Sequence, residues 1–346
     1  MKIRVAVVGG TGYTGFELVT LLLQHPRVEL TEITSQSYVG QQISEVFPAL
    51  QKICSLECKE IDLASLVDVA DCVFVALPHK TAMEVVAPLV RGGKRVVDLS
   101  ADFRFRSVEI YERWYQEHTA KDLLAEAVYG LPELHGGKIR TANLVGNPGC
   151  YPTGVILAAA PLLAAGVVDP DSLIADCKSG VSGAGRAPTL TTHFCEANEG
   201  FKAYKVAEHR HTPEIEQELS TVAERPVKVV FTPHLVPMSR GILTTLYASL
   251  SKGVSDEEIS GLYEEAYERA VFVRVLNQGQ LPSTLYVRGT NFCDIGWRID
   301  SRTGRIITIS AIDNLTRGAA GQAICNMNLM FGFHEDEGLR LRVWQP

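Results

Sequence analysis

Residues 3–26 read IRVAVVGGTGYTGFELVTLLLQHP, and this stretch decides the fold. Ile3–Val8 is a short, nearly all-apolar run, the composition of a central parallel strand buried on both faces. GGTGYTG follows at 9–15, and residues 16–26 then repeat apolar side chains at helical spacing until Pro26 stops them. Gly10, Gly12 and Gly15 fit GxGxxG, and Gly9, Gly12 and Gly15 also fit GxxGxxG. Glycine is required here because the backbone must turn tightly and approach a pyrophosphate, while the next helix turns N–H groups and its positive dipole end to the anion. A strand before the loop and an amphipathic helix after it supply the βαβ context that makes the motif a dinucleotide site. Its candidate contacts are Gly9, Thr11, Gly12, Tyr13, Thr14 and Gly15.

Working outward, Val28–Thr34 reads as a second strand, Asp71–Leu77 as a third ending at Pro78, and Arg95–Leu99 as another, with Thr81–Val90 helical. Strands alternating with helices indicate an α/β, Rossmann-type doubly wound parallel sheet. Beyond about residue 145 the pattern changes. A helix is predicted over Gly154–Ala165, then strands over Leu173–Lys178, Val227–Thr232, Gly241–Leu250, Phe272–Val275 and Arg305–Ile312, with helices at Pro213–Val222 and Asp256–Arg269. Strands with few crossovers predict an α+β second domain on a mixed or antiparallel sheet, serving substrate and oligomerisation. A last helix, about Thr316–Phe331, is expected to return to the first domain. The expected division is therefore 1–148 plus 316–346, and 149–315.

The chain has 346 residues, 46% hydrophobic and 21% charged, with a net charge of -7 and no basic run. That balance argues against a nucleic-acid partner, which needs a basic face. The longest apolar stretch, Val155–Val168, is too short for a bilayer and is broken by Pro161 and Gly166. A first strand at the third residue leaves no room for a targeting segment, so a cytoplasmic location is expected. The eight cysteines include no CxxC pair and no zinc-ligand spacing, so no metal is expected and the thiols should be free.

The end of the second strand bears on which dinucleotide binds. An acid there would bond the ribose 2′-hydroxyl of NAD. The one acid available, Glu32, lies inside the strand, which ends in Ser35-Gln36-Ser37. The hydroxyls of Ser35 and Ser37 and the Gln36 amide suit a 2′-phosphate, which favours NADP over NAD.

The loop GNPGCYPT at 146–153 sets Cys150 in a Pro-Gly turn just ahead of a helix. A thiol there feels the helix N-terminus, which favours the thiolate, and the same N–H groups can stabilise an acyl oxyanion. The segment HRHTPEIEQEL supplies His209 and His211, with Thr212 expected as N-cap and Pro213 as first helical residue. Two apart in extended chain, the imidazoles share a face opposite Arg210. One can act as general acid/base while the other binds or orients, and Glu214 can hold the imidazole tautomer. Three segments look like anion sites: LSADFRFR with Arg104 and Arg106, KSGVSGAGRAP with Lys178, Ser182 and Arg186, and HLVPMSRGI with Arg240. Together they suit a substrate bearing phosphate and carboxylate. His79 reads as structural or as a cofactor neighbour.

Taken together, GGTGYTG, LPH at 77–79, DLSADFR, GNPGCYPT, SGVSGAGR, HRHTPEI, HLVPMSRGI, GTNFCDI and AIDNLTRGAAGQAICNMNLM resemble the N-acetyl-γ-glutamyl-phosphate reductases of arginine biosynthesis, among the semialdehyde dehydrogenases. The resemblance runs from residue 3 to about 332. It implies NADPH-dependent reduction of an acyl phosphate through a thioester on Cys150, with His211 as acid/base, His209 close behind and Arg104 at the phosphate. It also implies Leu77, Pro78, Ser100, Gly183, Ala184 and Asn314 as cofactor neighbours, and a homodimer or homotetramer built through the second domain's sheet. One departure stands out: the family often has Ser-Arg where this chain has Ser35-Gln36. Rival readings are an aspartate-semialdehyde dehydrogenase, a carrier-bound aminoadipate-semialdehyde dehydrogenase, for which Tyr151 in place of Asn is a departure, or a non-catalytic dinucleotide sensor.

Overall fold

The computed structural model describes residues 2–339. By contact the chain divides into two units: one runs to Pro148 and resumes at Ala319, the other spans Gly149–Gly318. The sequence reading sets the return to the first unit at 316, whereas the chain crosses after Gly318.

The first unit holds a seven-stranded sheet of β1 (Ile3–Val8), β2 (Val28–Thr34), β3 (Cys58–Lys59), β4 (Cys72–Val75), β5 (Arg95–Asp98), β6 (Val128–Tyr129) and β7 (Leu144–Gly146). Its order is β3-β2-β1-β4-β5-β7-β6, and all its pairings are parallel. β1 and β4 sit in the middle, which is why their cores, Val5–Val8 and Cys72–Val75, are apolar on both faces. The helix Tyr13–Gln24 follows β1 and buries Leu18, Val19, Leu21 and Leu22. The returning segment is a π-helical turn, Thr316–Ala320, running into the helix Gly321–Met330, all of whose residues are buried. Polar side chains tie that helix down: Asn326 Nδ2 donates to Gly130 O and Asn147 Oδ1, and Gln322 Nε2 donates to Gly130 O.

The second unit is built on β8 (Leu173–Gly180), β9 (Lys202–Ala203), β10 (Val229–Val236), β11 (Ile242–Ser249), β12 (Val273–Val275), β13 (Cys293–Asp300) and β14 (Arg305–Ile312). The order is β12-β13-β14-β11-β8-β10-β9, a mixed sheet in which β8–β10 and β12–β13 are parallel. Residues alternate along β8 and β11 between buried and half-exposed, as expected when one face is covered and the other open. The covering helix is Cys150–Ala164, apolar all round. Pro161 lies inside it and has no N–H for Leu157 O four residues back. Tyr267 Oη donates to that carbonyl at 2.6 Å, and Tyr263 Oη to Ala158 O, so a neighbouring helix satisfies what the proline leaves open.

Two boundaries differ from the sequence reading. The helix predicted from Gly154 starts at Cys150, because Pro152 falls in its first turn, where no N–H partner is needed. The helix Thr212–Val222 has His211, not Thr212, at its N-cap position, without a side-chain cap bond.

Candidate active site

In the first unit the glycine loop is held by close backbone contact. Gly9 has φ 85°, and a Cβ there would lie 2.5 Å from Ala76 O. A Cβ on Gly15 would lie 2.2 Å from Gly9 O, so only glycine lets the loop fold onto its helix. Beside Gly12 the nearest atom to a Cβ is 3.9 Å away. The helix Tyr13–Gln24 begins on Gly12 with no side-chain cap and no acid in its first turn, leaving an end suited to an anion. Thr11 Oγ1 and Ser35 Oγ are 2.8 Å apart, joining the loop to the end of β2. Tyr13 and Ser37 are exposed, and Thr14 is half-buried. These residues fit a dinucleotide.

Leu77 and Pro78 follow β4 on partly exposed chain, but Ser100 is 1% exposed. Its hydroxyl donates to Asp98 Oδ2 at 2.7 Å and accepts the Asp102 N–H. Ser100 thus braces a turn built on two buried carboxylates. Burial pushes Asp98 up to about 7, and the nearby Asp102 adds to the rise. Asp102 in turn accepts the Lys80 and Met83 N–H groups and the Tyr111 hydroxyl, joining the loop after β4 to the loop after β5. Arg104 is 6% exposed. Its Nε donates to Asn147 O at 2.6 Å and its Nη2 to Leu99 O at 3.0 Å; two donors that the sequence reading assigns to phosphate support backbone instead.

In the second unit Cys150 is the first residue of its helix and half-exposed. Gly149, its N-cap, faces His211: a Cβ there would lie 2.6 Å from His211 Nε2. Gly318 packs on the other side, where a Cβ would lie 2.8 Å from Cys150 Cβ. The Gly149 N–H donates to Glu214 Oε1 at 2.7 Å. The carboxylate expected to steady an imidazole fixes the turn before the thiol.

The two imidazoles meet with ring centroids 4.8 Å apart. A turn brings them together, not an extended chain: His211 N–H donates to His209 Nδ1, and Thr212 N–H to His209 O. Tyr151, Tyr204 and Phe231 pack edge-on around His209. This aromatic wall could not be foreseen, since its members lie far apart in sequence. Burial pulls His209 down to about 4, and Lys205 and Arg210 add repulsion. His209 is therefore neutral near pH 7, with Nδ1 as an acceptor and the ring proton on Nε2.

A second group forms beside β11. Asn314 Oδ1 accepts the Gly241 N–H at 2.7 Å, and Nδ2 donates to Ser182 Oγ at 3.0 Å. Gly183, Ala184 and half-buried Arg186 follow on the same loop, the first two exposed. Arg240 donates Nε and Nη2 to the two oxygens of Asp313, both at 2.9 Å, and Nη2 also to Thr316 Oγ1. Asp313, which orients this arginine, lies 73 residues away in sequence, and no local pattern pairs the two. Lys178 joins neither group. Alternation along β8 sends Cys177 to Thr244 beneath the Cys150 helix and Lys178 to the opposite face, where it pairs with Asp176 at 2.7 Å. Among the described residues the eight cysteines form no disulfide.

Residues 4–142 match a family model described as "Semialdehyde dehydrogenase, NAD binding domain", and residues 150–314 one described as "Semialdehyde dehydrogenase, dimerisation domain". Two solved structures share the fold: aspartate semialdehyde dehydrogenase II of Vibrio cholerae complexed with ASA (TM-score 0.73, 16% identity, 96% of this chain and 99% of that one) and aspartate semialdehyde dehydrogenase with NADP from Candida albicans (TM-score 0.72, 16% identity, 96% and 99%). In sequence the chain is 62% identical over 344 residues to the N-acetyl-gamma-glutamyl-phosphate reductase of Syntrophobacter fumaroxidans, covering 99% of this chain and 100% of that one. It is 55% identical over 340 residues to that of Desulfotalea psychrophila, covering 98% of each. The chain belongs to the semialdehyde dehydrogenase family of NAD(P)-binding oxidoreductases, on the N-acetyl-γ-glutamyl-phosphate reductase branch.

Proposed function

We propose that the protein reduces N-acetyl-L-glutamyl 5-phosphate to N-acetyl-L-glutamate 5-semialdehyde and phosphate, with NADPH as reductant, in arginine biosynthesis. The observation that carries this reading is Cys150, half-exposed at the first position of a buried helix, with Gly149 against the His211 ring.

The helix end favours the Cys150 thiolate. Its sulfur attacks the acyl carbon, the bond from that carbon to the phosphate oxygen breaks, and phosphate leaves with the electron pair, so a thioester remains. Backbone N–H groups at the same helix end offer donors to the negative acyl oxygen. When bound, the dinucleotide supplies the hydride that takes the thioester to the aldehyde level. His211 lends a proton to the oxygen as it becomes an alkoxide and recovers it when the C–S bond breaks. His209, neutral and accepting the backbone N–H of His211 at Nδ1, orients the turn that carries its neighbour. Gly9, Thr11, Gly12, Tyr13, Thr14 and Gly15 would hold the pyrophosphate of the dinucleotide, and Ser35 and Ser37 its adenosine ribose. Arg240 and Arg186 serve the substrate's anionic groups.

The domain matched to a dimerisation family leaves one face of its sheet open, with Ile174, Thr232, Leu243, Thr245 and Tyr247 half-exposed. A second copy of the chain covers this face, giving a homodimer or homotetramer. Among the described residues no helix is long and apolar enough to cross a membrane, in keeping with a cytoplasmic enzyme.

The test is turnover of the purified protein with N-acetylglutamyl phosphate, or phosphate-dependent oxidation of its semialdehyde, with aspartyl phosphate as comparison. Turnover with the N-acetylglutamyl compound is expected. Preference for aspartyl phosphate, or inertness toward both, overturns the assignment.

A further inference from the structure

The outer edge of the first sheet carries an ion pair that the chemistry above leaves unused. Lys59, the last residue of β3, stands beside Thr34, the last of β2, and its carbonyl accepts the Ser35 N–H at 2.9 Å. Its ammonium reaches back to Glu32 and donates to Oε2 at 2.7 Å, where Ser65 Oγ also donates at 3.3 Å. The Glu32 side chain is 1% exposed and that of Lys59 54%. Glu32 Oε1 is buried with no hydrogen-bond partner. Through Ser35, Lys59 is tied to Thr11 of the glycine loop by consecutive hydrogen bonds.

In a doubly wound sheet the adenosine ribose lies at the carboxyl end of the second strand, where an acid takes a 2′-hydroxyl and a cation accommodates a 2′-phosphate. Here the acid is drawn back from the strand end and its charge is offset by Lys59, so it no longer repels a phosphate. Exposed Gln36 brings no charge. Lys59 is long, half in water and anchored at the strand end. We infer that Lys59 sets the preference for a 2′-phosphorylated dinucleotide, by compensating Glu32 and by attracting the 2′-phosphate. This rests on the NADP reading above.

The probes are 2′,5′-ADP and 5′-AMP, which differ by the 2′-phosphate alone, titrated calorimetrically into the full chain. The wild type should bind 2′,5′-ADP more tightly. Lys59→Met should weaken 2′,5′-ADP by about tenfold, the worth of one charged contact, and leave 5′-AMP unchanged. Because that variant strands a buried carboxylate, a change that can cost folding, Glu32→Gln/Lys59→Met is measured beside it and should show a smaller loss of 2′,5′-ADP binding, that of the attraction alone. A folded variant that keeps the wild-type preference, or loses both probes equally, overturns the role of Lys59 and leaves the NADP reading standing. A wild type that binds both probes alike overturns the NADP reading itself.

Discussion

Glu214 accepts the backbone N–H of Gly149 at 2.7 Å, with both residues buried, so a carboxylate in one helix fixes the turn from which the Cys150 helix starts. Replacing Glu214 with Ala strands a buried donor. The expected cost is about 2 kcal/mol of stability, together with a fall in kcat. Glu214→Gln keeps an acceptor oxygen and should lose less of both. Thermal unfolding and steady-state kinetics check this; an Ala variant with wild-type Tm would remove the bond from any structural role.

The space around Gly149 makes a sharper test. A methyl there would sit 2.6 Å from His211 Nε2, closer than real Cβ contacts come. Gly149→Ala should displace the imidazole and lower kcat by about a hundredfold, the scale of an ångström's misplacement, with dinucleotide affinity unchanged. Gly318→Ala, whose methyl would meet Cys150 Cβ at 2.8 Å, should act in the same direction. Wild-type kcat in Gly149→Ala would show that His211 does not need its present position.

Cys150→Ser should lose turnover by a factor on the order of 10⁴ or more while NADP(H) still binds, measured by single-turnover kinetics and calorimetry. His211→Asn should slow turnover by about 10²–10⁴-fold, and His209→Asn by less. Should His209→Asn prove the more damaged, the two imidazoles exchange roles.

The depressed His209 predicts a pH dependence of stability. Folded, it titrates at about 4 against an ordinary 6.5. As pH falls through that window the unfolded chain takes up a proton that the folded chain refuses. Stability is therefore unaffected above about 6.5 and declines below it, by at most about 1.4 kcal/mol per pH unit from this residue. Urea midpoints between about pH 7.5 and 5 should fall more steeply for wild type than for His209→Gln. Equal slopes would mean that the aromatic wall does not shield the ring.

Local signals account for what can be read without coordinates. β1, the glycine loop, its helix and β2 are legible because each is announced by adjacent residues: an apolar run, glycines, then helical periodicity. Cys150 and the histidine pair stand out because their loops carry unusual residue types close together. β13 escapes the same reading. Its residues CDIGWRID contain Asp294, buried only because Arg274 neutralises it, and Gly296, where a Cβ would lie 2.5 Å from Gln280 O. The chemistry of Arg104 and Arg240 marks both as anion contacts, but the groups that position them, Asn147 O and Asp313, come from distant segments and leave no local signal. Lys178 was legible as a cation but not as to its face, which depends on the register of β8.

The return of the chain to its first unit at Ala319 reverses the usual order in which domains are completed during synthesis. Gly149–Gly318 has emerged whole from the ribosome while the earlier-made first unit still waits for the helix Gly321–Met330, whose Gln322 and Asn326 hold Gly130. The part of the gene translated first encodes the part of the protein finished last. A chain released before Gly321 would carry a complete Cys150 unit and a dinucleotide unit in which Gly130 O and Asn147 lack the partners that Gln322 and Asn326 supply.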